Sequence, residues 1–445
     1  MRSFYKLLVH LAAPLAFGLV LMRGLRDRGY WQGLGERFGF GPQPSGERSI
    51  WLHAVSLGEV SAAAPIVHAL LASHPEIPIV VTTATPTGRS RALALFADRA
   101  SVHFLPYDLP GSVARFLDRI RPLQAVIMET ELWPNLFHEC ARRELPVVLA
   151  SARLSAKSVS RYRRFGELFS GLFTPNVWVA AQTSEDAQRF EAIGADPARI
   201  EVIGNVKFDI DIGANVIEQG LALRQRSLGV RPVWAAGSTH EGEDQQVLEA
   251  HAQVCTKIPT ALLIIAPRHP QRFEAVAALL ERGGWRYLRR SAGVPVASGM
   301  QVLLLDSVGE LLAFYGASDV AFVGGSLVEI GGHNLLEPAA LKLPVLTGPS
   351  DFNAKEIAEM LVQSGAARRV ANAGELAAAV SELLGDSRER QRVGAIARRA
   401  VETNRGSVQR LLKLIEAKCA SALTAPKEPP LVTPLPEPPQ SPQPP

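Results

Sequence analysis

The chain has 445 residues, of which 47% are hydrophobic and 20% are charged, so it is long enough for two or three folded domains and is not a disordered protein. Its formal net charge of +4 does not indicate nucleic acid as a partner, although it suits an acidic substrate or an anionic membrane surface. The three cysteines, Cys140, Cys255 and Cys419, have no metal-like spacing, which argues against a zinc site or a disulfide framework.

The first segment is almost wholly apolar from Phe4 to Met22, interrupted by Lys6, His10 and Pro14. At 1.5 Å per residue its roughly 19 residues reach about 28 Å, which is close to the thickness of a bilayer core. A basic cluster follows at once: Arg23, Arg26 and Arg28. We therefore predict that residues 1–28 are an uncleaved membrane anchor, either spanning or interfacial, with the remainder of the chain on the cytoplasmic side. A helix buried in protein is the alternative.

From Ile50 onward, short continuous apolar runs alternate with segments of helical periodicity. This alternation predicts a parallel sheet covered by helices on both faces. The pattern breaks over 208–231 and resumes at Val233. We predict an α/β fold of two facing doubly wound domains, over 29–207 and 232–420, with 208–231 as the interdomain connection. Ligands commonly bind in the cleft that two such domains would form.

The last segment, 421–445, is dominated by proline. Such a composition cannot bury a core and predicts an extended, disordered tail. An inert tail is the simpler interpretation, with partner binding as the alternative.

The most distinctive stretch runs from Ala321 to Ala339 and contains a short apolar strand, two glycine pairs and the start of an apolar helix. Glycines allow backbone to approach a ligand closely, and a helix beginning near Asn334 would direct its N–H groups at the same gap. This pattern is typical of a phosphate site. Glu337 could accept hydrogen bonds from a ribose diol. The alternative is an ordinary capped helix start.

Carboxylates follow two predicted strands of the first domain, at the edge where a parallel sheet binds ligands. Glu59 comes just after the first strand, and Glu129 and Glu131 come after the fourth. A partly desolvated carboxylate there has a raised pKa and can act as a general base. Alternatively, Glu59 stabilises a helix start, where the dipole would lower its pKa. Glu129 and Glu131 share one face if the strand continues through both, whereas a turn at Thr130 would separate them.

Arginines also follow predicted strands: Arg89 and Arg153 in the first domain, and Arg268 in the second. The guanidinium group suits phosphate and carboxylate. Arg89 and Arg153, together with Glu131, are therefore candidates for contacts with an acceptor, and Arg268 could pair with a nucleotide phosphate. Ordinary solvated helix faces are the alternative.

Asp209 and Asp211 have the D-x-D spacing of metal-dependent sugar transferases. They lie in the predicted interdomain connection and not after a nucleotide-binding strand. We therefore predict no metal site.

Taken together, the chain resembles the 3-deoxy-D-manno-octulosonic acid (Kdo) transferase family of Gram-negative bacteria over roughly residues 4–415. The order of the motifs makes the resemblance specific. They are Ser56-Leu57-Gly58-Glu59, Thr85-Pro86-Thr87-Gly88, Met128-Glu129-Thr130-Glu131-Leu132-Trp133-Pro134-Asn135, Ala152-Arg153-Leu154-Ser155, Lys207-Phe208-Asp209, Pro267-Arg268-His269-Pro270 and the glycine-rich stretch.

The resemblance implies a two-domain GT-B glycosyltransferase. Such an enzyme would move Kdo from CMP-Kdo onto a lipid A precursor (lipid IVA) in lipopolysaccharide biosynthesis, at the cytoplasmic face of the inner membrane. It would invert the anomeric centre and need neither a cofactor nor a metal ion.

By this likeness Glu59 matches the general base, and Glu129 and Lys207 match positions that stabilise the transition state. Three segments match the CMP-binding residues: Pro267 and Arg268; Val308, Gly309 and Glu310; and Asn334, Leu335, Leu336 and Glu337. The family often has Asn-Pro-Leu-Glu in the last segment, so Leu335 departs from the pattern.

Two other functions remain open at this stage. One is a GT-B sugar enzyme that uses a UDP-sugar on a lipid or cell-wall precursor. The other is a membrane-tethered module that binds a nucleotide sugar without catalysis.

Overall fold

Two seven-stranded parallel sheets organise this computed structural model, which describes residues 2–41, 43–96, 98–210 and 212–424. Residues up to Ile203, together with those from Val408 onward, form the first compact unit, and Gly204–Ser407 form the second. Every strand pairing in both sheets is parallel, so the predicted α/β class with two doubly wound domains is confirmed.

The first sheet is built from short apolar strands. They are β1 Ser49–His53, β2 Ile79–Thr83, β3 Ala100–Phe104, β4 Pro122–Met128, β5 Val147–Ala152, β6 Val177–Ala181 and β7 Ile200–Val202. Their order is β3-β2-β1-β4-β5-β6-β7, so the chain changes direction across the sheet between β1 and β4. The carboxyl ends of these two neighbouring strands mark the position where a doubly wound sheet holds its ligands.

The helices of the first unit mostly begin where the sequence supplies a start signal. They are α1 Arg2–Arg26, α2 Leu57–Ser73, α3 Pro86–Phe96, α4 Pro110–Ile120, α5 Pro134–Arg142, α6 Ala156–Arg164, α7 Gly166–Ser170 and α8 Ser184–Ala192. Hydroxyl side chains cap α2, α6 and α8, and proline begins α3, α4 and α5. By length and composition α1 could cross a membrane.

The second unit repeats this design. Its strands are β8 Val233–Thr239, β9 Leu262–Pro267, β10 Tyr287–Arg289, β11 Val302–Leu304, β12 Val320–Val323, β13 Val345–Thr347 and β14 Ala367–Arg369. The order β10-β11-β9-β8-β12-β13-β14 puts the change of direction between β8 and β12. The glycine-rich stretch therefore leaves the sheet at its expected ligand edge.

Eight α-helices belong to the described part of the second unit. They are α9 Ala214–Leu223, α10 Glu243–Lys257, α11 Phe273–Arg282, α12 Leu311–Gly316, α13 Leu336–Ala340, α14 Lys355–Gln363, α15 Ala373–Gly385 and α16 Ser387–Thr403. The predicted interdomain connection contains α9, which packs closely on α12. A side chain at Gly220 would lie 3.0 Å from the Ala313 carbonyl oxygen, so a glycine allows this contact.

The last helix, α17 Ser407–Thr424, returns to the first unit. Arg410 donates two hydrogen bonds to the Ile203 carbonyl oxygen, at 3.0 and 2.7 Å, and Leu411 and Ile415 are fully buried. The predicted boundary at 420 differs from this division, because an amphipathic pattern does not say which domain its apolar face covers. Residues 425–445, most of the predicted proline-rich tail, lie outside the described residues.

Candidate active site

Glu59 lies in the first turn of α2, directly after β1. Its Oε2 accepts a hydrogen bond from the Val55 N–H at 2.9 Å, and its Oε1 accepts one from the Ser56 hydroxyl at 3.0 Å. The Ser56 oxygen in turn accepts from the Glu59 N–H at 3.4 Å. This reciprocal arrangement is a variant of the capping box in which the glutamate accepts from the amide just before the N-cap residue. Glu59 thus has a visible structural role, and its role as a general base stays a prediction.

Glu129 and Glu131 follow β4 but have different partners. The backbone of Glu129 is left-handed, with φ 55°, which ends the strand and separates the two side chains. Arg153 donates from Nε to Glu129 Oε2 at 2.8 Å, and the Trp133 indole donates to Glu131 Oε2 at 2.7 Å. Of the two arrangements open from the sequence, the structure has the turn.

The three carboxylates Glu59, Glu129 and Glu131 share one electrostatic environment. The pKa of Glu131 is raised from 4.5 to about 7: burial is the main cause, the Trp133 hydrogen bond opposes it, and the charges of Glu59 and Glu129 contribute to the increase. Glu131 can therefore hold a proton near neutral pH, which relieves repulsion among the three groups. The first unit gathers onto one edge of its sheet three of the residues that the sequence singled out.

The raised pKa of Glu131 predicts a measurable pH effect. Since the folded state holds this proton more tightly, the stabilising contribution is full below pH 4.5 and is lost as pH rises to about 7. Between about pH 5 and pH 8, the thermal midpoint of Glu131→Gln should therefore fall less than that of the wild type. Calorimetry checks this, with the exposed Glu191→Gln as control. Equal pH slopes for wild type and Glu131→Gln would contradict the assignment.

The two arginines of the first unit behave differently. Arg153 lies with the carboxylates, and its carbonyl oxygen also accepts the Thr130 hydroxyl. Arg89 instead makes a double hydrogen bond to Glu36, at 2.7 and 3.1 Å, with its guanidinium 4.8 Å from the Phe104 ring centre. Since Glu36 begins a three-residue 3₁₀ helix before β1, which is too short to show a periodicity, the sequence gave no sign of this pair. Arg89 as an acceptor contact stays a prediction.

In the second unit, Glu243 organises the glycine-rich turn. Its carboxylate is fully buried and accepts hydrogen bonds from three consecutive amides, those of Gly325 at 2.6 Å, Ser326 at 3.0 Å and Leu327 at 2.9 Å. The His240 amide adds a fourth at 3.2 Å. Burial raises the pKa of Glu243, and the four amides act in the opposite direction.

This role of Glu243 is not predicted from the sequence. The glycine-rich turn is predicted to approach a ligand, but three amides of the turn donate to an internal carboxylate. Glycine is required for that contact. A Cβ at Gly324 would lie 2.6 Å from Glu243 Oε2, and Gly325 has φ +70°. A glutamate at the start of a helix is common, so the local sequence held no signal for this role.

A histidine group covers the same turn. The rings of His240 and His333 are nearly parallel, at 9°, with centres 5.1 Å apart, and their Nε2 atoms face each other at a hydrogen-bonding distance of 2.8 Å. His269 lies edge-on to His240, with centroids 5.4 Å apart. Burial, followed by the charges of His240, Arg268 and His269, lowers the pKa of His333 to about 4. His333 is therefore neutral at pH 7, and one ring of the pair donates to the other.

Asn334 and Glu337 form the start of α13. The Asn334 side chain accepts from the Leu336 N–H and donates to Glu337, both at 3.1 Å. Burial raises the pKa of Glu337, while the Asn334 hydrogen bond and the charge of Arg268 oppose the increase. Arg268, Asn334 and Glu337 thus lie together. Leu335 and Leu336 are 2% and 1% exposed, so their side chains belong to the core of the unit.

The third predicted segment lies between β11 and α12. Val308 is 77% exposed and Gly309 has φ +89°, so the turn projects outward. Although burial acts to raise it, hydrogen bonds from Ser307 and Arg290 lower the pKa of Glu310. Glu310 is therefore charged and held by protein groups.

Lys207 belongs to the second unit, in a short 3₁₀ helix whose Lys207 N–H donates to the Asn205 side chain at 2.9 Å. Asp209 accepts from the Gly406 N–H, whereas Asp211 lies outside the described residues. Over the part of the chain that the structure describes, no three His, Cys, Asp or Glu side chains are grouped to hold a metal ion. The roles predicted for Lys207 and for the CMP-binding segments stay predictions.

Comparison with known protein structures supports the fold. The chain is similar to UDP-GlcNAc 2-epimerase from Neisseria meningitidis, with a TM-score of 0.55, 16% identity and coverage of 84% of this chain and 100% of that one. It is also similar to MurG from Acinetobacter baumannii, with a TM-score of 0.53, 12% identity and coverage of 83% and 100%. These likenesses show the fold alone, which is of the predicted GT-B type.

Sequence comparison is more specific. Residues 32–210 match the family described as 3-deoxy-D-manno-octulosonic-acid transferase, and residues 289–400 match glycosyl transferases group 1. The chain is 40% identical over 421 residues to the 3-deoxy-D-manno-octulosonic acid transferase of Haemophilus influenzae, covering 93% of this chain and 98% of the relative. It is 36% identical over 429 residues to that of Bordetella pertussis, covering 93% and 99%. The chain therefore belongs to the 3-deoxy-D-manno-octulosonic acid (Kdo) transferase family and is a glycosyltransferase.

Proposed function

We propose that this transferase moves Kdo from CMP-Kdo onto a phosphorylated lipid A precursor such as lipid IVA, at the cytoplasmic face of the inner membrane. The proposed reaction inverts the anomeric centre in one step and uses no metal ion. The observation that carries the proposal is the group of three carboxylates, Glu59, Glu129 and Glu131, at the ligand edge of the first sheet in a member of this family.

Glu59 is the proposed general base. A sugar hydroxyl is a poor nucleophile until a base removes its proton, and a positioned carboxylate can accept it. The Val55 amide and the Ser56 hydroxyl fix the orientation of this carboxylate. A proton on Glu131, whose pKa is about 7, keeps a third negative charge away from Glu59. The hydrogen bonds from Val55 and Ser56 thus hold the Glu59 carboxylate in one orientation before the acceptor binds.

Two other residues are proposed to stabilise the charges that develop in the transition state. Glu129 would stabilise the positive charge that develops on the sugar, and Arg153 holds its carboxylate in place at 2.8 Å. Lys207 would bind the carboxylate of Kdo or the departing phosphate. These roles extend the family likeness to the matching residues of this chain.

The second unit is proposed to hold the CMP group. Arg268 lies beside Glu337 and His333 and can form charge-assisted hydrogen bonds to the phosphate. Glu337 can accept the ribose hydroxyls, with Asn334 holding one of its oxygens. Pro267, the exposed turn at Val308 to Glu310 and the start of α13 at Leu335 and Leu336 would lie around the nucleotide.

Arg268→Ala should raise the KM for CMP-Kdo about 10- to 100-fold, because a hydrogen bond to a charged group contributes about 1.5–3 kcal/mol. The exposed Arg388→Ala on α16 removes a similar charge from the same unit and should leave KM unchanged. Initial-rate kinetics at varied donor concentration checks both variants. An equal KM for Arg268→Ala and wild type would remove Arg268 from the donor site.

The proposed function is tested with purified protein, freshly made CMP-Kdo and a bis-phosphorylated lipid A precursor, in buffer containing EDTA. We expect transfer at an unchanged rate with the chelator, inhibition by CMP and none by UMP. The dephosphorylated precursor is the acceptor control and should react poorly. Turnover with UDP-sugars in place of CMP-Kdo, or loss of activity in EDTA that a divalent cation restores, would contradict the proposal.

A further inference from the structure

The helix α1 has two distinct faces along its whole length. One face is partly or fully buried at positions that recur every three or four residues, which places them in one stripe. These residues are Tyr5, Val9, Ala13, Phe17, Val20 and Gly24. The stripe reaches from the first turn of the helix to the last, so α1 packs on protein throughout.

Specific contacts tie α1 to the first unit. The Tyr5 hydroxyl donates to Asp108 Oδ2 at 2.9 Å, and the buried Asp108 also accepts from the Asn135 and Leu136 amides. At the other end, the Trp31 indole donates to the Leu21 carbonyl oxygen at 3.1 Å. The Leu21 contact is local, because Trp31 lies in the short 3₁₀ helix that follows α1. Tyr5 and Phe17, about 18 Å apart along the helix, both contact the folded unit, which places α1 along its surface.

The middle of the helix and its first residue make further contacts. The ring of Phe17 lies edge-on to that of Phe38, with centres 5.4 Å apart. Arg2 lines a cavity of about 240 Å³ together with Pro134 and His138 of the folded unit. A helix crossing a bilayer would instead carry Arg2 more than about 30 Å away from a domain on one side of the membrane.

The opposite face of α1 is a continuous apolar surface. Its side chains are between 51% and 76% exposed: Phe4, Leu7, Leu8, Leu11, Leu15, Leu19, Met22 and Leu25. A contiguous apolar patch of this kind marks an interaction surface. Basic residues flank it, namely Arg2, Lys6, Arg23, Arg26 and Arg28, and α1 contains no acidic residue. Apolar residues with flanking cations match the interface of an anionic bilayer.

We infer that α1 is an in-plane membrane helix: its stripe is docked on the first unit, and its leucine-rich face enters one leaflet of an anionic bilayer without crossing it. Both ends of α1 are then on the same side of the membrane as the folded units. This orientation fixes which surface of the first unit faces the lipid. The inference does not depend on the identity of the proposed donor and acceptor.

Accessibility of Ser3→Cys tests the topology in cells that carry the full chain. The three native cysteines are replaced by serine so that only the new thiol reacts. An in-plane helix predicts that a membrane-impermeant maleimide labels Ser3→Cys only after the inner membrane is permeabilised. Glu76→Cys, on the exposed surface of the first unit, is the same-side control and should give the same pattern. Labelling of Ser3→Cys in intact cells, with Glu76→Cys protected, would overturn the inference.

Cross-linking tests docking directly in native membranes. A short bis-maleimide should join Arg2→Cys to His138→Cys, because both residues line the same cavity. The matched pair Leu11→Cys with His138→Cys should not cross-link, since Leu11 is 66% exposed on the opposite face. Absence of the first cross-link in protein that retains wild-type transferase activity would contradict the docked helix.

Vesicle flotation identifies what covers the leucine-rich face. The Leu11→Glu, Leu15→Glu double variant should bind phosphatidylethanolamine–phosphatidylglycerol vesicles at least about tenfold less than wild type, because charges are unfavourable in the bilayer. Ala12→Ser, a mild exposed change on the same helix, should bind as wild type does. Unchanged binding by the double variant, or a wild-type dimer that the double variant converts to monomer, would assign the face to something other than lipid.

Discussion

Replacing Glu59 by glutamine should lower kcat for Kdo transfer by about 10²- to 10⁴-fold while the protein stays folded, since general-base catalysis contributes about that much. Glutamine has the shape of glutamate and can also complete a capping box, so the start of α2 should persist. Glutamine cannot take a proton from the acceptor hydroxyl. Single-turnover rates with bound donor and acceptor, together with thermal unfolding of both proteins, check the two parts of this expectation.

Ser56→Ala is the matched control, because it weakens the same cap but keeps the carboxylate. The loss of an N-cap hydroxyl costs about 1 kcal/mol, so the thermal midpoint should fall. The transfer rate well below that midpoint should fall far less than in Glu59→Gln, because the Val55 amide still orients the carboxylate. If both variants lose activity in proportion to their loss of stability, Glu59 acts by capping α2 and not by proton transfer.

Glu243→Ala should have the second large effect, on the glycine-rich turn. Its carboxylate accepts hydrogen bonds from Gly325, Ser326, Leu327 and His240, and all four donors would lose their partner. Each buried N–H group that is left without an acceptor costs about 1–3 kcal/mol. We expect a clearly lower thermal midpoint and a CMP affinity at least about tenfold weaker, since the turn that carries Asn334 would lose its support. Titration calorimetry and thermal unfolding measure both effects.

Two variants make the Glu243 result specific. Glu243→Gln keeps the volume but places an NH₂ group against amide donors, so it should also weaken CMP binding. Glu241→Gln changes an exposed glutamate two residues away and should behave as wild type. If Glu243→Gln has the same thermal midpoint and the same CMP affinity as wild type, the charge on Glu243 does not organise the donor site.

The carboxylate site could be predicted in outline because parallel strands collect their carboxyl ends at one edge. Glu59 follows β1, and Glu129 and Glu131 follow β4, its neighbour in the sheet. The partners of these groups could not be predicted. Glu129 has a left-handed backbone and pairs with Arg153, and Arg89 pairs with Glu36 from a short 3₁₀ helix before β1.

The glycine-rich turn shows a different limit of sequence reasoning. Its glycines indicated a close approach to a ligand, which stays a prediction, whereas the contact that the structure shows is with Glu243, which lies 82 positions from Gly325 in the chain. No local pattern reports a contact at that separation. The same limit applies to α17, whose apolar face fits the first unit although the helix follows the second in sequence. The helices and strands could be predicted from local patterns, whereas their packing partners depend on the tertiary structure.

Mass spectrometry of the lipid product tests the central claim most directly. Purified full-length protein in phospholipid vesicles is incubated with CMP-Kdo and lipid IVA, and lipid and nucleotide are analysed together. The proposed function predicts lipid IVA carrying one or more Kdo residues, with one CMP released for each residue added. Unmodified lipid IVA beside intact CMP-Kdo, or CMP released without any Kdo-bearing lipid, would contradict it.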